Sequence, residues 1–170
     1  ADKIRHMRDF GFAGYDNVVK LGVNGKMNEL CAALGLANLE SIEDFIAVNR
    51  RNYDQYEKEL ARIPGLTLLK YDPGERNNWQ YVVVMVEELK TGIKRDDLVT
   101  MLHGHGILAR RYFWPGCHRM EPYRSRELKV VNRLSETERI AEKIIVLPTG
   151  TGVSTSDISR ICQFLVEAAN

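Results

Sequence analysis

A chain of 170 residues with 24 Lys+Arg against 23 Asp+Glu and a hydrophobic fraction of 44% has the composition of an ordinary globular domain. Its formal net charge of +1 excludes the broad basic field on which sequence-independent nucleic-acid binding relies, so no nucleic-acid partner is expected. Apolar runs such as Tyr81 to Val86 and Ile144 to Leu147 are too short to cross a bilayer and no charged-then-apolar leader opens the sequence, so no membrane partner is expected either. Cys31, Cys117 and Cys162 are odd in number, widely spaced and without a C-x-x-C pair, which reads as plain thiols in a reducing, cytoplasmic compartment.

Ala1 to Asp9 carries Ile4 and Met7 three residues apart and stops at Gly11, a helical pattern. It has neither an initiator Met nor an N-cap, which suggests a chain entered inside a helix and hence a fragment of a longer protein. Gly11 to Gly25, with four glycines and two Asn, predicts an irregular surface loop. Lys26 to Ala37 is rich in Leu, Ala, Met and Glu and predicts a helix. A long amphipathic helix follows, its stripe running through Leu39, Ile42, Phe45, Ile46, Tyr53, Tyr56 and Leu60 and ending at Pro64-Gly65.

The period then changes. Leu66 to Tyr71 and Trp79 to Val86 are β-branched, aromatic and apolar, and predict two strands of one sheet. Lys94 to Leu102 reads as a helix with a glycine stop at Gly104 or Gly106, and Ile107 to Phe113 as another strand. Ser135 with Glu138, and Ser154 with Asp157, each place a cap oxygen three residues before a carboxylate and predict two helix starts. Between them, Ile144 to Leu147 is a short strand or a helix end. The order of elements predicts an α+β fold, an α/β sandwich, without internal repeats.

No P-loop, dinucleotide fingerprint, nucleophile elbow or H-E-x-x-H zinc signature is present. His103-Gly-His105 with Cys117-His118 supplies four potential metal ligands, but a helix stop collects such polar residues in any case, and no metal is expected. Arg110-Arg-Tyr-Phe-Trp114 sets two guanidinium groups beside three rings, which suits a ligand carrying phosphate and a flat or sugar-like face; a strand with Arg on its wet side is the plain alternative. Asn24 and Lys26 flank Gly25 just before a helix and could clamp a phosphate at its N-terminus, against the alternative of an ordinary Asn cap and a solvated Lys.

Taken together, Arg8-Asp-Phe-Gly11, Gly22-Val-Asn-Gly-Lys-Met-Asn-Glu29, Cys31-Ala-Ala-Leu-Gly-Leu36, Asn49-Arg-Arg-Asn-Tyr53, Gly106 through His118, Pro122-Tyr123 and Leu147-Pro148 resemble the C-terminal half of the DegT/StrS sugar aminotransferases, which use pyridoxal phosphate. The resemblance runs almost end to end. It implies the C-terminal small domain of a fold-type-I transferase, with residues 1–25 ending the large domain and its active-site loop and residues 26–170 forming the small domain. It implies a homodimer with shared active sites, in which Asn24 reaches the partner's cofactor phosphate; Lys26 stands where the family commonly has Arg. It also implies Arg8, Tyr112, Phe113 and His118 at the nucleotide-sugar substrate.

The lysine that bonds the cofactor lies upstream in the family, so no catalytic residue is assigned here and the chain alone is expected to be inactive. For the full-length parent the resemblance implies amino transfer, with glutamate as donor, to a nucleotide-linked keto-deoxysugar in deoxysugar or polysaccharide biosynthesis. Two alternatives stand beside it: a sugar dehydratase of the same family, with His in place of the lysine, and a stand-alone α+β interaction or regulatory module.

Overall fold

The computed structural model describes residues 1–125 and 134–169. The chain divides into two compact units, Ala1–Ile42 and Glu43–Asn170. In the first, α1 (Asp2–Arg8) is followed by a loop that doubles back on it. Val23 N–H donates to the Met7 carbonyl and Gly25 N–H to the Arg8 carbonyl, both at 2.8 Å. Glycine is required at position 22, because a Cβ there would sit 2.3 Å from the Gly11 nitrogen and 2.5 Å from the Met7 oxygen.

Helix α2 (Glu29–Glu40) starts later than the composition predicted. Asn28 is its cap, with the side-chain oxygen accepting from Cys31 N–H at 2.8 Å. Asn24 and Lys26 therefore lie in the loop before the cap, not at a helix N-terminus, which corrects that part of the phosphate-clamp reading. Neither α1 nor α2 buries a residue. Leu30 is 81% exposed, and Leu34, Leu36 and Leu39 are also exposed. Described by itself, this unit has leucines and no core to put them in.

The second unit is built on α3 (Ile42–Leu60), antiparallel strands β1 (Leu66–Leu68), β2 (Val82–Val86) and β3 (Ile144–Leu147) in that spatial order, and helices α4 (Glu88–Thr91), α5 (Arg95–Gly104), α6 (Ser135–Ala141) and α7 (Thr155–Ala168). The predicted stripe beginning at Leu39 is broken at Ser41, so Leu39 closes α2 instead, while Tyr53, Tyr56 and Leu60 enter the core. Register pairs Leu66 with Val86 and Val82 with Leu147. Val82, Val84 and Val86 alternate into the core as a pleated strand requires. They meet Leu98 and Leu102 of α5 and Ile158, Ile161, Cys162 and Leu165 of α7 in one cluster.

Two local expectations change and one open alternative is settled. Ile107 to Phe113 is not a strand: Ile107 N–H closes onto the Leu102 carbonyl at the end of α5, only Arg110 pairs with Val146, and the chain turns at Arg111 to Trp114. Ser135 does not cap α6; Leu134 occupies that position without a side-chain cap, and Glu138 is drawn to other partners. The segment Ile144 to Leu147 resolves as a strand. The box at Ser154 and Asp157 forms as the spacing predicts. Among the described residues no helix is long and apolar enough to cross a membrane.

Candidate functional site

In the first unit, the return of the loop onto α1 gathers Arg8, Asn24 and Lys26 around Asp9. Asn24 forms an isolated antiparallel bridge with Asp9. Lys26 Nζ lies 2.8 Å from Asp9 Oδ1 and 5.7 Å from the Phe10 ring centroid. Asn24 is exposed, and its carboxamide has no hydrogen bond among the described residues. This set suits a phosphate: the amide offers unspent donors, and an ammonium with three donors keeps two after serving Asp9. Arg8 is exposed, and its carbonyl holds Gly25 in place. An apolar cleft of about 440 Å³ lies between Ile4, Met7, Leu21 and Val23 beside it.

In the second unit, the segment after α5 folds against α6 and borders an open cavity of about 790 Å³, a size suited to a small-molecule ligand. Phe113, His118 and Tyr123 line one side, and Ile140, Ala141 and Ile144 the other. Tyr112 is not in that lining; its ring packs edge-on against Tyr81 at 6.1 Å and lies tilted against Phe113 at 5.0 Å. Both guanidinium groups of the Arg-rich segment are engaged. Arg110 bonds the Tyr112 hydroxyl and lies over its ring, and Arg111 stacks 4.8 Å from the Trp114 centroid while reaching Asp96 at 3.1 Å.

Two polar clusters brace the cavity, and neither was visible in the sequence. Arg95 is almost wholly buried and donates to the Ala141 and Ile144 carbonyls at 2.7 and 2.9 Å, fixing the wall that those residues form. Its neighbour Asp96 accepts from both Arg95 and Arg111. Partial burial works against the charged Asp96 carboxylate, but the hydrogen bond from Arg111 and the charge of Arg95 prevail and hold its pKa below the ordinary value. On the other side, Glu138 receives His118 Nε2 at 3.1 Å and Arg119 at 2.9 Å. Its carboxyl is pushed down chiefly by the His118 hydrogen bond, which with Arg119 outweighs desolvation.

The histidines considered as metal ligands go separate ways. His103 Nε2 meets the Ala109 carbonyl at 2.7 Å, His105 Nδ1 the Met101 carbonyl at 2.9 Å, and His118 the Glu138 carboxylate. Among the described residues no group of three or more His, Cys, Asp or Glu is gathered as a metal site.

Residues 1–166 match the DegT/DnrJ/EryC1/StrS aminotransferase family. The chain belongs to that family. It is 29% identical over 96% of its length to the dTDP-4-amino-4,6-dideoxy-D-glucose transaminase of Escherichia coli, covering 44% of that protein. It is 32% identical over 85% of its length to the GDP-perosamine synthase of Caulobacter vibrioides, covering 38%. A crystal structure of DesI in the presence of its TDP-sugar product superposes with a TM-score of 0.88 at 40% identity, covering 99% of this chain and 42% of that one. The chain thus spans less than half the length of these family members.

Proposed function

We propose that this chain is the C-terminal part of a pyridoxal-phosphate-dependent aminotransferase that passes an amino group from glutamate to a keto group on a nucleotide-linked deoxysugar. The observation that carries the reading is the cavity uniting Phe113 and His118 in a chain that is 40% identical, along 99% of its length, to a protein crystallised with a TDP-sugar product. Its parts suit such a ligand: flat rings and an apolar wall for the sugar and base, and imidazole and hydroxyl groups for orientation.

In this reading residues 1–25 end the large domain and carry the active-site loop, and residues 26–170 form the small domain of a cytoplasmic homodimer. Asn24 donates its amide to the cofactor phosphate of the partner subunit, and Lys26 adds a positive charge beside it. Arg8, the last residue of α1, is the further residue proposed to contact the substrate. Tyr112 backs Phe113, so that the Phe113 ring keeps one orientation in the pocket, with His118 in the same lining. Pyridoxal phosphate, when bound, supplies the carbonyl that carries the amino group and the electron sink that makes its movement feasible. The lysine that bonds the cofactor is assigned to the part of the parent preceding this chain, so the chain alone transfers no amino group.

The coding DNA upstream of Ala1 tests the assignment. A lysine codon at the end of a short Ser-rich strand is the expected result; a histidine there overturns amino transfer in favour of sugar dehydration. A start codon directly before Ala1 overturns the single-chain parent.

A further inference from the structure

We propose that Glu138 is a positioning residue that fixes the tautomer and the orientation of His118 in the substrate cavity, with Gly116 as the platform on which the ring lies. The inference rests on the reading of that cavity as the sugar-nucleotide site. An ionised carboxylate has only acceptors, so the contact of Glu138 Oε1 with His118 Nε2 at 3.1 Å requires the proton on Nε2. In the neutral ring Nδ1 is then left as the acceptor, and a ligand that meets it must bring a donor such as a sugar hydroxyl.

The ring is also held sterically. Gly116 has φ of +98°, and a Cβ there would stand 2.7 Å from His118 Cε1 and 3.0 Å from Nδ1, closer than side chains tolerate. Only glycine combines that backbone conformation with the close approach. Arg119 bonds the same carboxylate at 2.9 Å, so Glu138 is itself oriented before it meets the imidazole. The side chains of His118 and Glu138 are 20% and 34% exposed, sheltered enough for the contact to persist and open enough for a ligand to reach the ring.

Long-range proton–nitrogen NMR of the histidine rings in this 170-residue chain tests the proposal without cofactor or turnover. His118→Gln assigns the signal by deleting it. The expected spectrum shows the neutral His118 ring protonated on Nε2 alone, and Glu138→Ala converts it to exchanging tautomers while the amide spectrum stays that of a folded chain. Glu138→Gln, which keeps an acceptor oxygen, restores the single tautomer. An unchanged His118 signal in Glu138→Ala overturns the positioning role.

In the full-length parent, Glu138→Ala is expected to raise KM for the nucleotide sugar about tenfold with little change in kcat, the scale of one lost hydrogen bond to a charged group. If His118→Ala leaves KM unchanged, the substrate-site reading fails, whatever the tautomer experiment shows. If His118→Ala raises KM and Glu138→Ala does not, the positioning role fails alone.

Discussion

Asn52 and Gly150, separated by 98 positions in the sequence, are joined by a hydrogen bond from Asn52 Nδ2 to the Gly150 carbonyl at 3.2 Å. The same amide reaches Thr149 Oγ1 at 3.3 Å, and Asn52 has no exposed surface. A buried carboxamide on α3 thus satisfies the loop between β3 and α7 that no strand or helix can serve. Replacing it takes that donor from the half-buried loop oxygens. Asn52→Leu is expected to destabilise the chain by about 1–3 kcal/mol, read as a lower urea midpoint at unchanged slope.

The two serine-carboxylate patterns separate local from tertiary signals. Ser154 accepts from Asp157 N–H at 3.1 Å, and Asp157 reaches back to Ser154 N–H at 3.1 Å. Ser154→Ala is expected to cost about 1 kcal/mol, whereas Ser135→Ala, at a position that caps nothing, is expected to be near neutral in the same thermal melt. The Asp157 carboxyl is held below its ordinary value by the Ser154 side chain and then its backbone N–H. Its contribution is therefore present above the ordinary carboxylate range and fades as pH falls through the lowered value. Acid sensitivity in that window shrinks in Ser154→Ala.

These contrasts show what a sequence reveals and what it hides. The β-branched apolar run of β2, the glycine stop of α5 and the Ser154 box are short-range patterns, and each is read from a few neighbouring residues. Arg95 looks like any surface arginine, because the carbonyls it serves, Ala141 at the end of α6 and Ile144 at the start of β3, lie 46 and 49 positions away. Ser135 and Glu138 match a capping box, but Glu138 is claimed by His118 and Arg119, and a tertiary contact overrides the local pattern. Ile107 to Phe113 has strand composition, yet only Arg110 finds an edge to pair with. The cavity that brings Phe113 and His118 together follows from the turn at Arg111 to Trp114 and the return of α6, which no periodicity records.

Cys162 is 2% exposed, while Cys31 and Cys117 are exposed. Burial, with a smaller contribution from Glu59, pushes the Cys162 thiol up to about 12. Two of the three thiols are therefore expected to react promptly with a disulfide reagent at neutral pH, and the third only after unfolding. Because the folded value is raised, the stabilisation is complete below the ordinary thiol range and is lost as pH climbs from there towards 12. Chemical unfolding at stepped alkaline pH checks this sign, and rising stability in that window contradicts it.

Asn24 and Lys26 give the proposed phosphate contact its own test in the full-length parent. Asn24→Ala is expected to weaken pyridoxal phosphate binding about tenfold, the loss of one charge-assisted hydrogen bond. Lys26→Arg, which keeps the charge and adds a forked donor, is expected to bind at least as tightly as the native protein. Equilibrium dialysis with the cofactor measures both, and an unchanged constant for Asn24→Ala removes that residue from the site.

The measurement that bears most directly on the proposed activity is product analysis by mass spectrometry. The full-length parent would be incubated with pyridoxal phosphate, glutamate and TDP- and GDP-linked keto-deoxysugars. The expected result is one nucleotide sugar converted from ketone to amine with stoichiometric 2-oxoglutarate, and neither product when the 170-residue chain is used alone. A sugar that loses water without consuming glutamate, or amino transfer by the chain alone, contradicts it.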